Sequence, residues 1–403
     1  MRVGYGRHTL PQQAVRQCHR MLGQVAPRLL VAFAGGKHDP GQVLRALREA
    51  FGEDVPLVGG AAAGVIGRDM ESYSGLEIGV IAFHEAATMP QVLVADGLLA
   101  GEVKAGRELG ERIAAVATED AVVVLLYDSV RHAAPLQLHA ASAILRGLQL
   151  GLRGRRLHLV GGGMLTDMNL SDSWVFDGRG VAKHSAVALV FPPSVTARTE
   201  ILHGCRPISS FMEITRIDGA EVFELDGQPA LSVIERMLGM PLGSSQMQQL
   251  SLIATLGQKQ GDPFAPFSED RYVNRLILRT DAATGSVTLF EPDFRRGTRV
   301  QIMSRDNELM LTSVREGVAR LNDRLVGTEP LLGLYIDCAG RASGRSGAVI
   351  EEAKLVRDLL DPAVTLLGFY SGVEIAPFDG VGRSLDWTGV LSVLTRSRER
   401  MAA

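Results

Sequence analysis

Short apolar runs that stop at glycine recur along this chain, with helical stretches between them. Leu29 to Phe33 leads to Gly35 and Gly36, and Pro56 to Val58 leads to Gly59 and Gly60. Leu157 to Val160 leads to Gly161, Gly162 and Gly163, and Val364 to Leu367 leads to Gly368. Runs this short and this apolar read as strands buried on both faces. The stretches between them are amphipathic. After Pro40-Gly41, the residues Val43, Leu44, Leu47 and Phe51 recur at helical spacing, and Glu308 to Leu325 behaves alike. Buried strands alternating with covering helices define an α/β fold with mixed sheets, and layered α/β/β/α packing would bury both faces of each sheet.

The order of elements repeats. Strand, helix, strand and a hairpin whose second arm is Leu76 to Phe83 occupy residues 29–83. The order returns with Val92 to Ala95, Glu102 to Val116, Ala121 to Tyr127, Leu136 to Leu150 and Leu157 to Val160. A hairpin then follows through Asp177-Gly178, a turn pair, and comes back along Ala186 to Phe191. A further copy runs from the strands Val287 to Phe290 and Arg299 to Met303, through the helix to Leu325, to Leu331–Ile336, Ala348–Leu360, Val364–Leu367 and Trp387–Leu394. This predicts two related modules, with residues 75–191 matching 287–394. The glycine pairs read as sharp turns between adjacent strands. Between the modules, two Asp-Gly pairs at Asp218 and Asp226 mark turns, Pro229-Ala230 opens a helix, and 242–267 reads as a connector or cover.

The totals narrow the function. Charged residues are 22% of the chain and net charge is −3 with both signs interspersed, so no nucleic-acid footprint is present. Arg396, Arg398 and Arg400 make a short basic end that reads as solvated. Met1 to Gly23 lacks the apolar core of a signal peptide, and no stretch reaches the ~20 apolar residues that span a bilayer. The cysteines, Cys18, Cys205 and Cys338, are odd in number and widely spaced. They give no disulfide framework and no metal spacing, which points to a reducing, cytoplasmic setting. The glycine pairs lack the dinucleotide fingerprint and the phosphate-loop lysine.

Chemistry gathers at two strand ends. Asp337-Cys338-Ala339-Gly340-Arg341 follows one buried strand and Gly368-Phe369-Tyr370-Ser371-Gly372-Val373-Glu374 follows the next. In α/β sheets such ends are where ligands bind. Arg341 offers a planar fork for a carboxylate; its other reading is an ion pair with Asp337 or Glu374 that supports the fold. Glu374 either receives a ligand ammonium or partners Arg341. Tyr370, Ser371 and Gly372 would line the site. Cys338 reads as a small core residue or, in an enzyme, as a nucleophile. The strand at 121–127 ends in Asp128-Ser129-Val130-Arg131, an analogous grouping that brings in Arg131.

These residues resemble the FIST domain proteins. The likeness rests on Val58-Gly59-Gly60-Ala61-Ala62-Ala63-Gly64, on Gly75 to Phe83, on His203-Gly204-Cys205-Arg206-Pro207, and on Glu224 to Ala230. In the C-terminal part it rests on Cys338 to Arg341 and Gly368 to Ile375. It implies an N-terminal module over 1–197 and a C-terminal module, with the linking region, over 198–403. It also implies a sensory protein of prokaryotic signal transduction that binds a small polar metabolite such as an amino acid. This chain leaves no room for a fused output module, so a signal would pass to a separate protein such as a histidine kinase. Two other readings stand beside it. One, which the same resemblance implies, is a haem-binding nitric oxide sensor acting on a partner histidine kinase, its axial ligand any of the nine histidines. The other is a hydrolase or transferase working through Cys338.

Overall fold

The computed structural model describes residues 1–239, 254–378 and 380–396. The α/β class and the mixed sheets are as expected. Three sheets share one plan, in which two central strands run parallel and every other neighbour is antiparallel. The parallel pairs are Leu29–Gly35 with Leu57–Ala62, Ala121–Asp128 with Leu157–Met164, and Glu329–Cys338 with Leu366–Ser371. Each sheet grows from a unit of strand, helix, strand, helix and strand. The unit then emits a hairpin and returns to its own sheet with a last strand. The units occupy residues 2–83, 91–190 and 195–396.

The emitted hairpins are exchanged in a cycle. Val65–Ser72, from the first unit, pairs with Leu366–Ser371 of the third. The third unit's Glu374–Leu385 pairs with Leu157–Met164 of the second. The second unit's Val175–Ala182 pairs with Leu57–Ala62 of the first. The stretch 174–191 therefore does not close on itself as a hairpin: Val175–Asp177 joins one sheet and Ala186–Val190 another. Alternating apolar residues mark a strand but do not say which sheet receives it.

Two sequence readings of the glycines change. Gly59–Gly60 and Gly161–Gly163 lie inside strands rather than in turns. A Cβ at Gly59, Gly161 or Gly368 would sit 2.0, 1.9 or 2.3 Å from a carbonyl oxygen of the parallel neighbour. Close backbone approach, repeated once per unit, is what requires glycine there.

The strand faces divide the molecule into layers. Val122, Val124 and Leu126 meet Leu334, Ile336 and Phe369 in an interior shared by the sheets, where Phe33 stacks on Phe369 at 4.4 Å. The alternate residues Val123, Leu125 and Tyr127 face the helices Glu102–Val116 and Ala141–Leu152. Tyr335 and Tyr370 likewise face Asn307–Leu325 and Glu352–Leu359. Asp306 caps the first of these by accepting from the N–H groups of Glu308 and Leu309 at 2.7 and 3.0 Å.

The third unit is split. Its first strand is Val195–Leu202, not the strands near 287–303, and a separate barrel stands between that strand and its helix. Arg299–Ser304 pairs with both Met212–Asp218 and Ala254–Lys259, and that double pairing closes the ring through 221–225, 286–289 and 272–281. Leu231 and Ile234 of the helix Ala230–Leu238 fill its core with Val222, Ile277 and Val300. Element order alone could not reveal an insertion between a strand and its own helix. Of the expected connector 242–267, residues 242–253 lie outside the described residues, and Ala254–Lys259 is a barrel strand. Of the basic end, Arg398 and Arg400 lie outside them too, while Arg396 pairs with Glu329 at 2.9 Å and Glu85 at 3.1 Å.

The motif at 203–206 joins the barrel to the body. The N–H groups of His203 and Gly204 donate to Glu269 Oε2 at 2.9 and 3.2 Å, and Arg206 reaches Oε1 at 2.7 Å. Burial opposes the charge of Glu269, but His203, Ser313 and Arg206 outweigh it and hold the carboxyl down at about 2.

Candidate functional site

The ends of Glu329–Cys338 and Leu366–Ser371 open beneath the barrel strand Tyr272–Asp281. Between them lies a cavity of about 390 Å³. Cys338, Ser371, Gly372, Asp386, Trp387 and Arg345 line it, together with apolar side chains from Leu165, Met168, Leu276, Leu278 and Phe290. The cavity therefore draws on a loop of the second unit, the strand ends of the third, and the barrel.

The expected site residues separate by strand face, because successive side chains point to opposite sides. Cys338 and Ser371 are register partners on the inner side and reach the cavity. Asp337, Tyr370 and Arg341 belong to a network on the other side. Arg341 is wholly buried and makes a two-pronged pair with Glu352, Nε at 2.9 Å and Nη2 at 2.5 Å. Its Nη1 donates to the carbonyls of His203 and Trp387 at 3.0 and 2.9 Å, and its Nε lies 3.3 Å from Asp337. The reading of Arg341 as a carboxylate clamp is corrected here: its fork is spent inside the protein, and it supports the fold. Tyr335 donates to Glu352 Oε1 at 3.0 Å, and Tyr370 to Glu351 Oε1 at 2.9 Å. Burial, reinforced by Glu352, pushes the Asp337 carboxyl well above its ordinary range.

Glu374 is also wholly buried and is not a partner of Arg341. It accepts from Ser371 Oγ at 2.6 Å and from the Thr388 N–H at 3.2 Å. Burial raises its carboxyl well above the usual range, which favours the neutral acid over a receptor for an ammonium. Cys338 is 7% exposed, and burial followed by the proximity of Glu374 raises its thiol. A neutral thiol is a poor nucleophile, so thiolate chemistry is disfavoured at this place.

Arg131 lies elsewhere, at the end of Ala121–Asp128, where it reaches Glu102 Oε1 at 3.4 Å and the Leu99 carbonyl at 3.2 Å. The sequence analogy that introduced it is out of phase by one residue. Asp128 pairs with Met164 three steps beyond Gly161, and Cys338 pairs with Ser371 three steps beyond Gly368. Asp128 therefore stands where Cys338 stands, not where Asp337 does.

Two residues that sequence reasoning missed add polar groups to the cavity. Asp386 is buried; its Oδ2 accepts from the Leu276 N–H at 3.0 Å, while its Oδ1 has no hydrogen bond and sits 3.6 Å from Arg275. Burial lifts its carboxyl to about 7. Trp387 follows with φ +57°, a left-handed conformation that costs a non-glycine residue of order 1 kcal/mol or more. Arg305 lies over its ring at 3.4 Å, and its indole N–H is buried without a partner. The turn that brings each hairpin back carries such a residue: Gly75 at +83°, His184 at +52° and Trp387 at +57°. Glycine fits this turn without strain, so the imidazole and the indole are held there against a local cost. Asp386-Trp387 at the close of the last hairpin was a turn signal without a motif, and only the fold brings it to the strand ends.

Haem does not find a fitting place in the cavities described. His158 lines one of about 900 Å³, but its Nε2 is 2.7 Å from Thr199 Oγ1, and burial with Arg198 and Arg324 keeps it neutral down to about 4. Four arginines and five acidic residues share that lining, a setting for charged groups rather than for an apolar macrocycle.

Sheets of this plan with a barrel inserted accompany a family match over most of the chain. Residues 28–228 match the FIST N domain and residues 230–377 the FIST C domain. The chain belongs to the FIST family, whose domains are associated with signal transduction and small-ligand sensing. An uncharacterized protein of Mycobacterium tuberculosis is 26% identical over 390 residues, covering 94% of this chain and 96% of its own. An uncharacterized protein of Mycobacterium bovis is 28% identical over 227 residues, 55% of this chain and 56% of its own. Among solved structures, a cyanuric acid hydrolase from A. caulinodans aligns over 98% of both chains at 10% identity with a TM-score of 0.36, a likeness too slight to bear on function. No helix among the described residues is long and apolar enough to cross a membrane.

Proposed function

We propose that this chain is a sensory protein whose small ligand occupies the cavity beneath the barrel. The ligand has an apolar body and a hydrogen-bond-donating end, as an amino acid with a large apolar side chain has. The observation that carries this reading is Asp386 Oδ1, which has an ion pair with Arg275 at 3.6 Å but no hydrogen bond, buried beside Leu276, Leu278, Phe290 and Trp387. A buried carboxylate oxygen without a donor is costly, and a ligand ammonium or amide would supply the donor. Arg345, on the short helix Ser343–Ser346, adds a cation for the ligand's carboxylate while bonded to Asn169 Oδ1 at 2.7 Å. Ser371 and Cys338 complete the polar lining, and Gly372 keeps the strand end open to the cavity.

Because the lining comes from the body and the barrel together, an occupant would set how firmly they are joined. That joint is where a separate partner protein would read the signal. Three free, buried cysteines suit a reducing cytoplasm. The test is calorimetric titration of the full chain with leucine, methionine and phenylalanine. Saturable binding of at least one is expected, lost in Asp386→Asn and in Leu278→Trp, which fills the cavity from its half-exposed edge. Absence of binding by all three, or equal binding by wild type and Leu278→Trp, sinks the reading.

A further inference from the structure

A second cavity, of about 280 Å³, lies where the barrel meets the second unit, away from the strand ends. Arg146 of the helix Ala141–Leu152, Arg295 of the barrel and Arg383 of the exchanged hairpin all line it. None of these three guanidinium groups has a hydrogen bond to another group among the described residues. The one carboxylate among the described lining residues, Asp293, is already committed: Arg275 grips both its oxygens at 2.6 Å. Arg383 comes no closer to it than 3.6 Å. The nearby Glu291 does not restore the balance. It is buried and accepts the N–H groups of Ala141 and Ser142 at 3.0 and 2.9 Å, so it serves the helix.

We infer that this cavity is a binding site for a small, multiply charged oxyanion, either a phosphate ester or a polycarboxylate. Three guanidinium groups line one hollow whose only carboxylate among the described residues is neutralised by a fourth. Guanidinium groups match the planar oxygen pairs of both classes and hold them by paired, charge-assisted bonds. Ser142 and Gln149 in the lining add neutral donors. The surplus is local, since the chain as a whole carries a net −3. Helix, barrel and hairpin each contribute one arginine, so the anion would tie three otherwise separate elements together.

The test is calorimetric titration of the full chain with inorganic pyrophosphate and, separately, with citrate, at one fixed ionic strength so that screening is constant. Saturable binding tighter than about 1 mM is expected for at least one. Preference for pyrophosphate assigns the phosphate class, and preference for citrate the polycarboxylate class. The double variant Arg146→Gln/Arg295→Gln, both exposed positions, should keep the wild-type melting temperature and weaken binding by about tenfold or more, the loss of two charge-assisted contacts. Arg383→Gln should weaken it as well, and Leu278→Trp in the other cavity should leave it unchanged. No saturable binding of either anion, unaltered affinity in the double variant, or loss of binding in Leu278→Trp would each overturn the assignment.

Discussion

The strands Ala121–Asp128 and Glu329–Cys338 end at the same step of the fold and carry opposite chemistry. At the first end an acid, Asp128, faces inward, where it accepts from the Ser173 hydroxyl and the His184 N–H. Beside it His184 Nδ1 lies 3.0 Å from His139 Nε2, and His139 Nδ1 lies 2.9 Å from Glu102. At the second end the inward residue is a thiol, Cys338, and the acid Asp337 is turned outward into a closed network with Arg341 and Glu352. The two ends also differ in what lies over them: the barrel covers the third unit's strand ends, while among the described residues the second unit has the short pair Val130–Ala133 and Leu136–Leu138 at that place. Covering lowers the local dielectric, so charges beneath it need partners fixed in advance; Asp386 Oδ1, which borders the cavity with no hydrogen bond, is the feature a ligand can use.

Removing the matching arginine from each end should give the widest contrast. Arg341→Met strands Asp337 and Glu352 in the interior and should cost about 3–5 kcal/mol in urea unfolding, or prevent folding altogether. Arg131→Met, at a side chain 35% exposed, should cost at most about 1 kcal/mol. Similar losses at both would erase the distinction between a closed and an open strand end.

The next largest effect is in pH. The Asp386 carboxyl titrates at about 7 in the folded chain and near 3.9 when unfolded, so between those values the folded state holds a proton that the unfolded state has released. Its contribution to stability is present below about 4 and lost as pH rises through about 7, a fall on the order of 4 kcal/mol. Asp386→Asn should lack that fall. Comparing urea midpoints of variant and wild type at pH 5 and pH 8 isolates it, since His158 and Glu269 titrate alike in both proteins. A constant difference between the two would contradict the burial argument.

Strain should distinguish the returning turns less strongly. At Trp387 and at His184, the glycine substitution should be more stable than the alanine one by about 1 kcal/mol, because only glycine takes positive φ freely. Equal stability of the Gly and Ala variants would show that the turn relaxes. The smallest expected effect is kinetic. Cys338, neutral and buried, should react with a thiol probe at neutral pH at least about tenfold more slowly than a free thiol; rapid labelling would return the nucleophile reading to consideration.

Fold class was plain from the sequence because it depends on local signals. Runs such as Leu331 to Ile336 and the spacing of Val43, Leu47 and Phe51 are properties of neighbouring residues. The exchange of hairpins and the barrel splitting Val195–Leu202 from Asn307–Leu325 are long-range facts that no local pattern encodes. The site was half legible for the same reason. Cys338, Ser371 and Gly372 were singled out because they follow buried strands, and in the fold they border the cavity. Arg341 and Asp337 were misjudged because the face each occupies depends on a one-residue phase, and the Asp128 analogy slipped by that same residue. Asp386 and Leu278 were missed because they come to the cavity from a distant turn and a separate barrel.

The most direct measurement is native mass spectrometry of freshly purified wild type beside Leu278→Trp. A bound small molecule on the wild type that is missing from the variant, with both proteins folded, is the predicted result. The same mass carried equally by both proteins would contradict a ligand site beneath the barrel.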